Sequence, residues 1–384
     1  MFTRLYLHIP FCQRKCPYCA FVSKQAAPGD ICSYVDTLLH EMRLAARQYN
    51  VSKPLKSIYL GGGTPSLLAP HQISQLLQQA ESLFGIDNDA ELTMEINPGT
   101  VDLNLLTGFR QAGINRLSIG VQSFNTDMLE LLGRIHSADQ AKQAFASART
   151  AGFVNIGIDL IHSLPGQNLT MWEKELQQAI NLAPNHLSIY GLTIEEETPF
   201  AARYHKEELL PDEDTSADMY EAADSILTAA GYEHYEIANY ARPGFRSQHN
   251  SGYWQRDGYL GLGAGAHSFI RNGQYGIRFG NSADIDQYCN DISKGKLSHQ
   301  DLHELNRDDA MAEFMFLGLR MSDGVTHEDF KSKFGADLET IFGIELNKMH
   351  QQKLLITADE STRLTLRGML LSNQVFSAFL RETH

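Results

Sequence analysis

The stretch RLYLHIPFCQRKCPYCAF, residues 4–21, joins a short apolar run to a loop that holds three of the five cysteines of the chain. The run RLYLHI is rich in leucine and isoleucine and too short for a helix, so it predicts a buried β-strand. Cys12, Cys16 and Cys19 follow it in a CxxxCxxC pattern. Three sulfurs this close are typical of a soft-metal centre, of an incomplete disulfide framework or of coincidence.

The composition of the chain narrows these alternatives. The 384 residues are 43% hydrophobic, which is typical of a globular protein large enough for two domains. The sequence has no secretory signal and no apolar stretch that could span a membrane, so we predict a cytoplasmic protein. An odd number of cysteines in that reducing compartment argues against structural disulfides. The formal charge of −14, without a basic patch, predicts no nucleic-acid partner.

Short apolar runs alternate with helical patterns up to about residue 192. The predicted strands are RLYLHI, SIYLGG, ELTMEI, NRLSIGV, VNIGIDLI and HLSIYGL, and the predicted helices cover 30–49, 70–84, 102–112, 126–149 and 170–182. Each connection is long enough for a right-handed βαβ crossover, so the six strands should form a parallel sheet.

Polar residues gather at the carboxyl ends of the first five predicted strands. They are the three cysteines, the turn Gly61-Gly62-Gly63-Thr64-Pro65, Glu95, Gln122 and Asp159. Ligands bind at this edge of parallel α/β folds. An open doubly wound sheet shares the alternating pattern, but five strand ends directed at one mouth favour a barrel. We therefore predict an α/β fold with a partial (β/α)6 TIM-like barrel.

The rest of the chain predicts two further units. We expect the barrel in residues 1–205 and an extension in residues 206–305. The extension carries a helical pattern at 212–230, residues typical of loops around HNSGYW, and the glycine-rich stretch GLGAGAHS. Residues 306–384 predict a helical, winged-helix-like domain with helices at 308–321, 326–334, 337–351 and 367–381 and a hairpin before the last helix. Its charge is 9 − 12 = −3 over residues 307–384, which favours a docking or lid role over DNA binding.

The cysteine loop suits an iron–sulfur cluster better than zinc. A structural zinc site needs a fourth ligand, usually from a second cysteine pair, and the sequence has no second CxxC. Cys32 and Cys289 are isolated and are best interpreted as small buried apolar residues. Three thiolates on a four-iron cubane leave one iron open to a cofactor or substrate.

The CxxxCxxC spacing, with Tyr18 before the last cysteine, resembles the signature of the radical S-adenosylmethionine (SAM) superfamily. The resemblance implies that Cys12, Cys16 and Cys19 ligate a 4Fe-4S cluster. It also implies that SAM chelates the open iron through its amino and carboxylate groups, and that an electron from the cluster cleaves it to a 5′-deoxyadenosyl radical. The glycine turn after the second strand resembles the motif that binds the methionyl end of SAM. Its glycines would expose backbone amides for close approach of the ligand.

Further motifs narrow the resemblance to one family. LYLHIPFC, GGGTPS, EINP, GVQSF, LGRIHS, DLIHSLPGQ, HNSGYW and GLGAGAHS are similar to the family of the oxygen-independent coproporphyrinogen III oxidase. The resemblance covers essentially the whole chain and implies a SAM site formed by Tyr6, Tyr18, Gly62, Gly63, Thr64, Glu95, Gln122, Arg134 and Asp159. One departure is that His162 and Ser163 stand where the family usually has an aromatic residue and glycine.

Three features favour the haem-chaperone branch of this family over the oxidase. The oxidase carries a further cysteine two positions after the third, where this chain has Ala20-Phe21, and it has a long extension before the first cluster cysteine. The motif HNSGYW, residues 249–254, matches the HNxxYW motif of the chaperone branch. The resemblance implies that His249 ligates haem iron, with Tyr253 or Trp254 against the macrocycle; His267 is a weaker candidate.

Two functional hypotheses follow from the resemblance, and a barrel with a vestigial metal loop is a third. The first is a haem chaperone that forms a homodimer and passes haem to respiratory acceptor proteins. It would associate with membranes only through those acceptor proteins. The second is an oxidase that decarboxylates porphyrinogen propionates by radical chemistry. Under the first hypothesis the chain has no coproporphyrinogen oxidase activity.

Overall fold

Six parallel strands, paired in chain order, form the centre of the fold. The computed structural model describes residues 1–49, 54–204, 210–358 and 360–380. The strands of the amino-terminal half are β1 (Arg4–Ile9), β2 (Phe11–Cys12), β3 (Lys24–Gln25), β4 (Leu55–Gly62), β5 (Ile86–Ile96), β6 (Arg116–Gln122), β7 (Asn155–His162) and β8 (His186–Gly191). The helices are α1 (Asp30–Gln48), α2 (Pro70–Phe84), α3 (Leu103–Ala112), α4 (Thr126–Leu131), α5 (Ala138–Thr150), α6 (Leu169–Asn181) and α7 (Pro199–Arg203).

The order of the paired strands distinguishes a partial barrel from a doubly wound sheet. β1, β4, β5, β6, β7 and β8 are neighbours in that order, and every pair is parallel. In a doubly wound sheet the order reverses at the switch point, which does not happen along these six strands. The predicted partial (β/α)6 barrel is therefore confirmed. Because β1 and β8 pair with other strands and not with each other, the barrel stays open.

The long helical pattern predicted at 126–149 is two helices in the structure. Asn125 caps α4 by accepting hydrogen bonds from the backbone of the first turn, and Ser137 caps α5 in the same way. Gly133, at φ 68°, turns the chain between them. The break has a functional consequence because it places Arg134 in a loop at the carboxyl edge of the sheet.

The segment after the barrel lengthens the same sheet at both edges. Its elements are α8 (Glu213–Ala229), β9 (Glu233–Glu236), β10 (Asn239–Ala241), α9 (Gln248–Trp254), β11 (Tyr259–Leu262), β12 (His267–Ile270), β13 (Ile277–Asn281), α10 (Ile285–Ser293) and β14 (His299–Glu304). β11 runs parallel to β1, and β10 pairs antiparallel with β8, which gives a sheet of twelve strands. The predicted boundary at 205/206 lies outside the described residues, so the division into units remains a prediction.

The HNSGYW stretch, which the sequence predicts as a loop, is helix α9. The sequence has little intrinsic helix propensity, because it contains glycine, serine and asparagine in seven residues. Tertiary contacts supply the missing stability. Ser247 caps the helix, and the buried carboxylate of Glu91 on β5 accepts hydrogen bonds from the backbone N–H groups of Gln248 and His249, both at 3.0 Å.

The carboxyl-terminal part has the winged-helix-like order of elements that the sequence predicts. It contains α11 (Arg307–Gly318), β15 (Val325–Thr326), α12 (His327–Phe334), α13 (Leu338–Gln351), β16 (Leu355–Ala358), β17 (Ser361–Leu364), α14 (Leu366–Leu370) and α15 (Ser372–Ala378). The short β15 completes a three-stranded sheet with the predicted hairpin. The predicted last helix is divided near Leu371, and its predicted end at 381 lies outside the described residues.

The carboxyl-terminal part is joined to the sheet extension through a buried carboxylate. Glu313 on α11 accepts a hydrogen bond from Arg256 Nε at 3.0 Å and another from Arg278 Nε. The Glu313 side chain is only 8% exposed, so both ion pairs are largely shielded from water.

Among the described helices, none is both long enough and apolar enough to cross a membrane.

Candidate functional site

The carboxyl ends of the parallel strands surround a cavity of about 390 Å³. Every predicted cluster ligand and SAM residue lines this cavity except Tyr6. The cavity therefore brings together residues from β4 to β7, the cysteine loop and the loop between α4 and α5. This convergence follows from parallel pairing, because the carboxyl ends of parallel strands meet at one edge.

The cysteine loop is held against the second strand of the barrel. Thr64 Oγ1 donates to Cys12 Sγ at 3.5 Å, and Arg134 Nη1 donates to Cys16 Sγ at 3.6 Å. Burial raises the pKa of the Cys19 thiol, and the nearby thiolates of Cys16 and Cys12 raise it further. The three sulfurs are thus close enough to repel one another as thiolates, and a bound cationic centre would relieve that repulsion.

The donor set fits an iron–sulfur cluster. Within the described ranges, no three His, Cys, Asp or Glu side chains approach closely enough to hold a single metal ion. A cubane takes each thiolate on a separate iron and so accepts sulfurs that are spread along one wall. Arg134 also supplies a positive charge beside the sulfur of Cys16.

The glycine turn after β4 serves packing rather than amide exposure. A Cβ on Gly62 would lie 2.5 Å from His8 Cε1, and one on Gly63 would lie 2.7 Å from the carbonyl oxygen of Phe11. The backbone N–H of Gly62 donates to Glu95 Oε2 at 3.1 Å, and that of Gly63 donates to the carbonyl of Ile9 at 2.8 Å. The expectation of free amides for a ligand is therefore wrong for Gly62 and Gly63, because both N–H groups already donate within the protein.

Two partly buried carboxylates, on β5 and β7, face the cavity. Glu95 accepts a hydrogen bond from Tyr59 Oη at 2.8 Å, and burial raises its pKa to about 7. Asp159 accepts from Ser118 Oγ at 3.0 and 3.1 Å, and burial again raises its pKa. Asp159 lies within β7 rather than past its end. These oxygens are suited to accept hydrogen bonds from a ligand that carries hydroxyl groups.

The other predicted SAM residues occupy the rim and the layer below it. Gln122 ends β6 with φ 69°, a strained conformation for a residue with a side chain. Arg134 Nη2 donates to the carbonyl of Gly120 at 2.8 Å, which fixes its guanidinium at the rim. Burial raises the pKa of Tyr18, which lines the cavity beside the cysteines. Tyr6 lies one layer deeper, with its hydroxyl 3.0 Å from His8 Nδ1.

His249 lies below the cavity and not on its wall. It is 1% exposed, and the ring of Tyr59, 5.1 Å away between centroids, contacts it from the side of the cavity. Its Nδ1 is 2.8 Å from Ser57 Oγ, and its Nε2 is 2.7 Å from Tyr253 Oη. Burial holds the pKa of His249 well below its usual range, so the ring is neutral. Haem ligation by His249 stays a prediction, and it requires one of these hydrogen bonds to break.

The two residues that depart from the family pattern contact each other. Ser163 has φ 58°, in the region that favours glycine, which explains why the family usually has glycine there. Ser163 Oγ is 2.9 Å from His162 Nδ1, so the strained serine gives the buried imidazole a hydrogen-bond partner. A purely apolar aromatic side chain at position 162 would not need one. Burial lowers the pKa of His162 to about 4. The two departures therefore compensate each other.

Several cavity residues were missed because they do not lie at the carboxyl ends of the first five strands. They are Tyr59, Arg116, Ser118, His186, Ser188, Tyr190 and, from α9, Asn250. A signal was present, because polar residues alternate with apolar ones within NRLSIGV and HLSIYGL. Alternate strand residues share a face, so this pattern indicates a polar barrel interior.

Comparison with known proteins agrees with these observations. Residues 6–179 match the model of the radical SAM superfamily, and residues 305–371 match the model of the HemN C-terminal domain. The heme chaperone HemW of Escherichia coli is 37% identical and covers 98% of this chain and 98% of its own length. The heme chaperone HemW of Bacillus subtilis is 36% identical over 98% of this chain and 99% of its own.

Two further similarities concern a eukaryotic relative and a solved structure. The mitochondrial radical S-adenosyl methionine domain-containing protein 1 of Danio rerio is 32% identical over 98% of this chain and 87% of its own. The structure of coproporphyrinogen III oxidase (HemN) from Escherichia coli has a TM-score of 0.86 and 24% identity, covering 98% of this chain and 90% of its own. This likeness confirms the predicted fold class.

The raised pKa of Glu95 predicts a pH-dependent cost to stability. Between its ordinary value of 4.5 and about 7, this carboxyl is ionised in the unfolded chain but protonated in the folded protein. Stability due to Glu95 is therefore lost as pH rises through this window. We expect Glu95→Gln to gain about 1–3 kcal/mol relative to the original protein between pH 5 and 8. Urea unfolding without added cofactors measures this difference; a difference that does not change with pH would contradict it.

The compensation between His162 and Ser163 predicts a non-additive double variant. Ser163→Gly alone relieves the backbone but leaves a buried imidazole nitrogen without its partner, which costs about 1–3 kcal/mol. His162→Phe with Ser163→Gly should restore most of that loss, giving a coupling of about 1–2 kcal/mol. Thermal and urea unfolding of both single variants and the double variant measure the coupling. Additive effects would show that the two departures are independent.

Proposed function

The chain belongs to the family of the heme chaperone HemW, within the radical SAM superfamily, and we propose that it binds haem and passes it to acceptor proteins. The observation that carries this proposal is the position of the HNSGYW helix. Hydrogen bonds with Ser57 and Glu91 hold α9 against β4 and β5, and Asn250 of the motif lines the cavity that the three cysteines also line. The three cysteines and one residue of the HNSGYW motif thus line one cavity. The nearly full-length relatives named as heme chaperones support the same reading.

Cys12, Cys16 and Cys19 would hold a 4Fe-4S cluster, and SAM would bind beside it. When bound, the cluster supplies an electron and an open coordination position for SAM. Arg134 would balance thiolate charge at the rim, since it already donates to Cys16. Glu95 and Asp159 would accept hydrogen bonds from hydroxyl groups of SAM, and their hydrogen bonds to Tyr59 and Ser118 keep the two carboxylates oriented.

His249 would ligate the haem iron through an imidazole nitrogen. Tyr253 Oη is the partner that can be released, since Ser57 lies on a central strand and also accepts a hydrogen bond from Arg4 Nη1 at 3.2 Å. The neutral ring that burial maintains has a lone pair available for iron. Tyr253 would then lie beside the macrocycle.

We further propose a cytoplasmic homodimer that delivers haem to respiratory proteins. The net charge of −14 keeps such a protein away from nucleic acids and anionic lipid surfaces. Contact with a membrane would therefore depend on the acceptor. Oxidation of coproporphyrinogen III is not proposed, because the cysteine loop has Ala20-Phe21 where the oxidase has its additional cysteine.

The cluster ligands are tested by paired cysteine variants. Cys16→Ser should abolish the broad visible absorbance and the bound iron and sulfide of the anaerobically reconstituted protein. Cys32→Ser is the matched control. The sequence predicts Cys32 to be buried, but it is exposed, and it lies outside the cavity. An unchanged spectrum of Cys16→Ser would overturn the cluster assignment.

The haem proposal is tested by titrating haem into the reconstituted protein. We expect stoichiometric uptake, and His249→Ala should weaken it by roughly tenfold or more, because an iron ligand is lost. His267→Ala is the matched control, since His267 is exposed on β12. Conversion of coproporphyrinogen III to protoporphyrinogen in the presence of SAM and a reductant would contradict the proposal and favour the oxidase.

A further inference from the structure

The far end of the cavity is lined by hydrogen-bond donors that the cluster and SAM residues leave unused. Arg116 begins β6 and His186 begins β8, so both lie at the amino ends of the strands, away from the cysteine loop. Both line the cavity, together with Asn250 from α9. Arg116 and His186 are each 1% exposed, so their polar atoms have little contact with bulk water.

Both side chains have a buried N–H that lacks a partner among the described residues. Arg116 Nε has none within hydrogen-bond distance, and the nearest carboxylate oxygen, on Glu91, is 3.8 Å away. His186 Nε2 is 2.8 Å from Tyr235 Oη, while its Nδ1 has no partner. Unsatisfied donors of this kind are rare in folded proteins, and each indicates a ligand or water that accepts from it.

The tautomer of His186 follows from its neighbours. Tyr235 Oη accepts a hydrogen bond from the backbone N–H of Ser247 at 3.3 Å, which leaves the phenol hydrogen free to donate to His186 Nε2. Burial holds the pKa of His186 well below its usual range, so the ring carries a single proton, on Nδ1. The unpartnered Nδ1 is therefore a donor, as is the unpartnered Nε of Arg116.

Glu91 pairs with Arg116 only at 3.8 Å, because its oxygens accept shorter hydrogen bonds from α9. Its two oxygens accept hydrogen bonds from the backbone of Gln248 and His249, at 3.0 Å each, and from Ser247 Oγ at 3.4 Å. The carboxylate is thus engaged by the first turn of α9, and it holds that helix beside Arg116. The floor of the cavity consequently combines a guanidinium, a neutral imidazole N–H and an amide.

We propose that Arg116, His186 and Asn250 form a carboxylate-binding subsite that takes one propionate of haem. A guanidinium fork with an adjacent N–H donor matches the planar geometry of a carboxylate. The acceptors Glu95 and Asp159 line the same cavity nearer the carboxyl ends of their strands. The subsite rests on the proposed haem function. Its Asn250 lies on the helix that carries His249, which joins recognition of the propionate to ligation of the iron.

The subsite is tested by comparing haem with its dimethyl ester, which keeps the macrocycle and iron but removes both carboxylates. We expect the original protein to bind haem roughly tenfold or more tightly than the ester, as measured by absorbance titration. In His186→Phe, which keeps an aromatic ring against Tyr235, and in Arg116→Gln, that preference should fall to about threefold or less. His162→Phe is the matched control, because this buried histidine lies outside the cavity, and its preference should stay unchanged.

The outcomes separate this subsite from the haem function itself. Equal affinity of the original protein for haem and its ester would overturn the subsite and leave the chaperone proposal standing. A preference that persists in His186→Phe and in folded Arg116→Gln would place the propionate elsewhere and likewise overturn it. Uptake of neither compound would overturn the haem proposal and the subsite together. Circular dichroism establishes whether Arg116→Gln folds; His186→Phe decides alone if it does not.

Discussion

Parallel pairing of β1 with β4 on one side and β11 on the other is the constraint on which the rest of the structure depends. β1 leads directly into the cysteine loop, so the register of this strand sets where the three sulfurs lie. The close approach of Gly62 and Gly63 to His8 and Phe11 holds that register. A one-residue slip would turn the inward-facing side chains of β1 to the outer face and remove the loop from the cavity.

The interior of the barrel is polar, and this polarity has a cost that function explains. Glu95 and Asp159 have raised pKa values because burial disfavours their charged forms. A chain selected for stability alone would fill this space with aliphatic side chains, as TIM barrels commonly do. The hydrogen bonds from Tyr59 and Ser118 offset part of the cost and hold the carboxylates toward the cavity. The polar interior is therefore the part of the fold in which we propose that the ligands bind.

α9 shows how a short motif acquires its structure from the protein around it. Glu91 on a central strand accepts hydrogen bonds from the backbone of the helix, and Ser57 on the next strand contacts the imidazole of His249. The same carboxylate lies 3.8 Å from Arg116. One set of buried polar contacts thus holds the first turn of the motif, its histidine and the floor of the cavity. A substitution at one of these positions should therefore affect the stability of the others.

The sequence by itself determined the alternation of strands and helices, the parallel pairing of the strands and the residues that gather at their carboxyl ends, whereas the observed strand order decided between a barrel and a doubly wound sheet. Local patterns suffice there, because hydrophobic period and connection length decide strand type, and parallel pairing brings carboxyl ends together. Only the tertiary structure decided that HNSGYW is a helix with both nitrogens of His249 engaged, that Ser163 serves His162, and that Arg116 and His186 share a floor. These arrangements depend on the tertiary structure around each residue, which the local helix and strand propensity of the sequence does not predict.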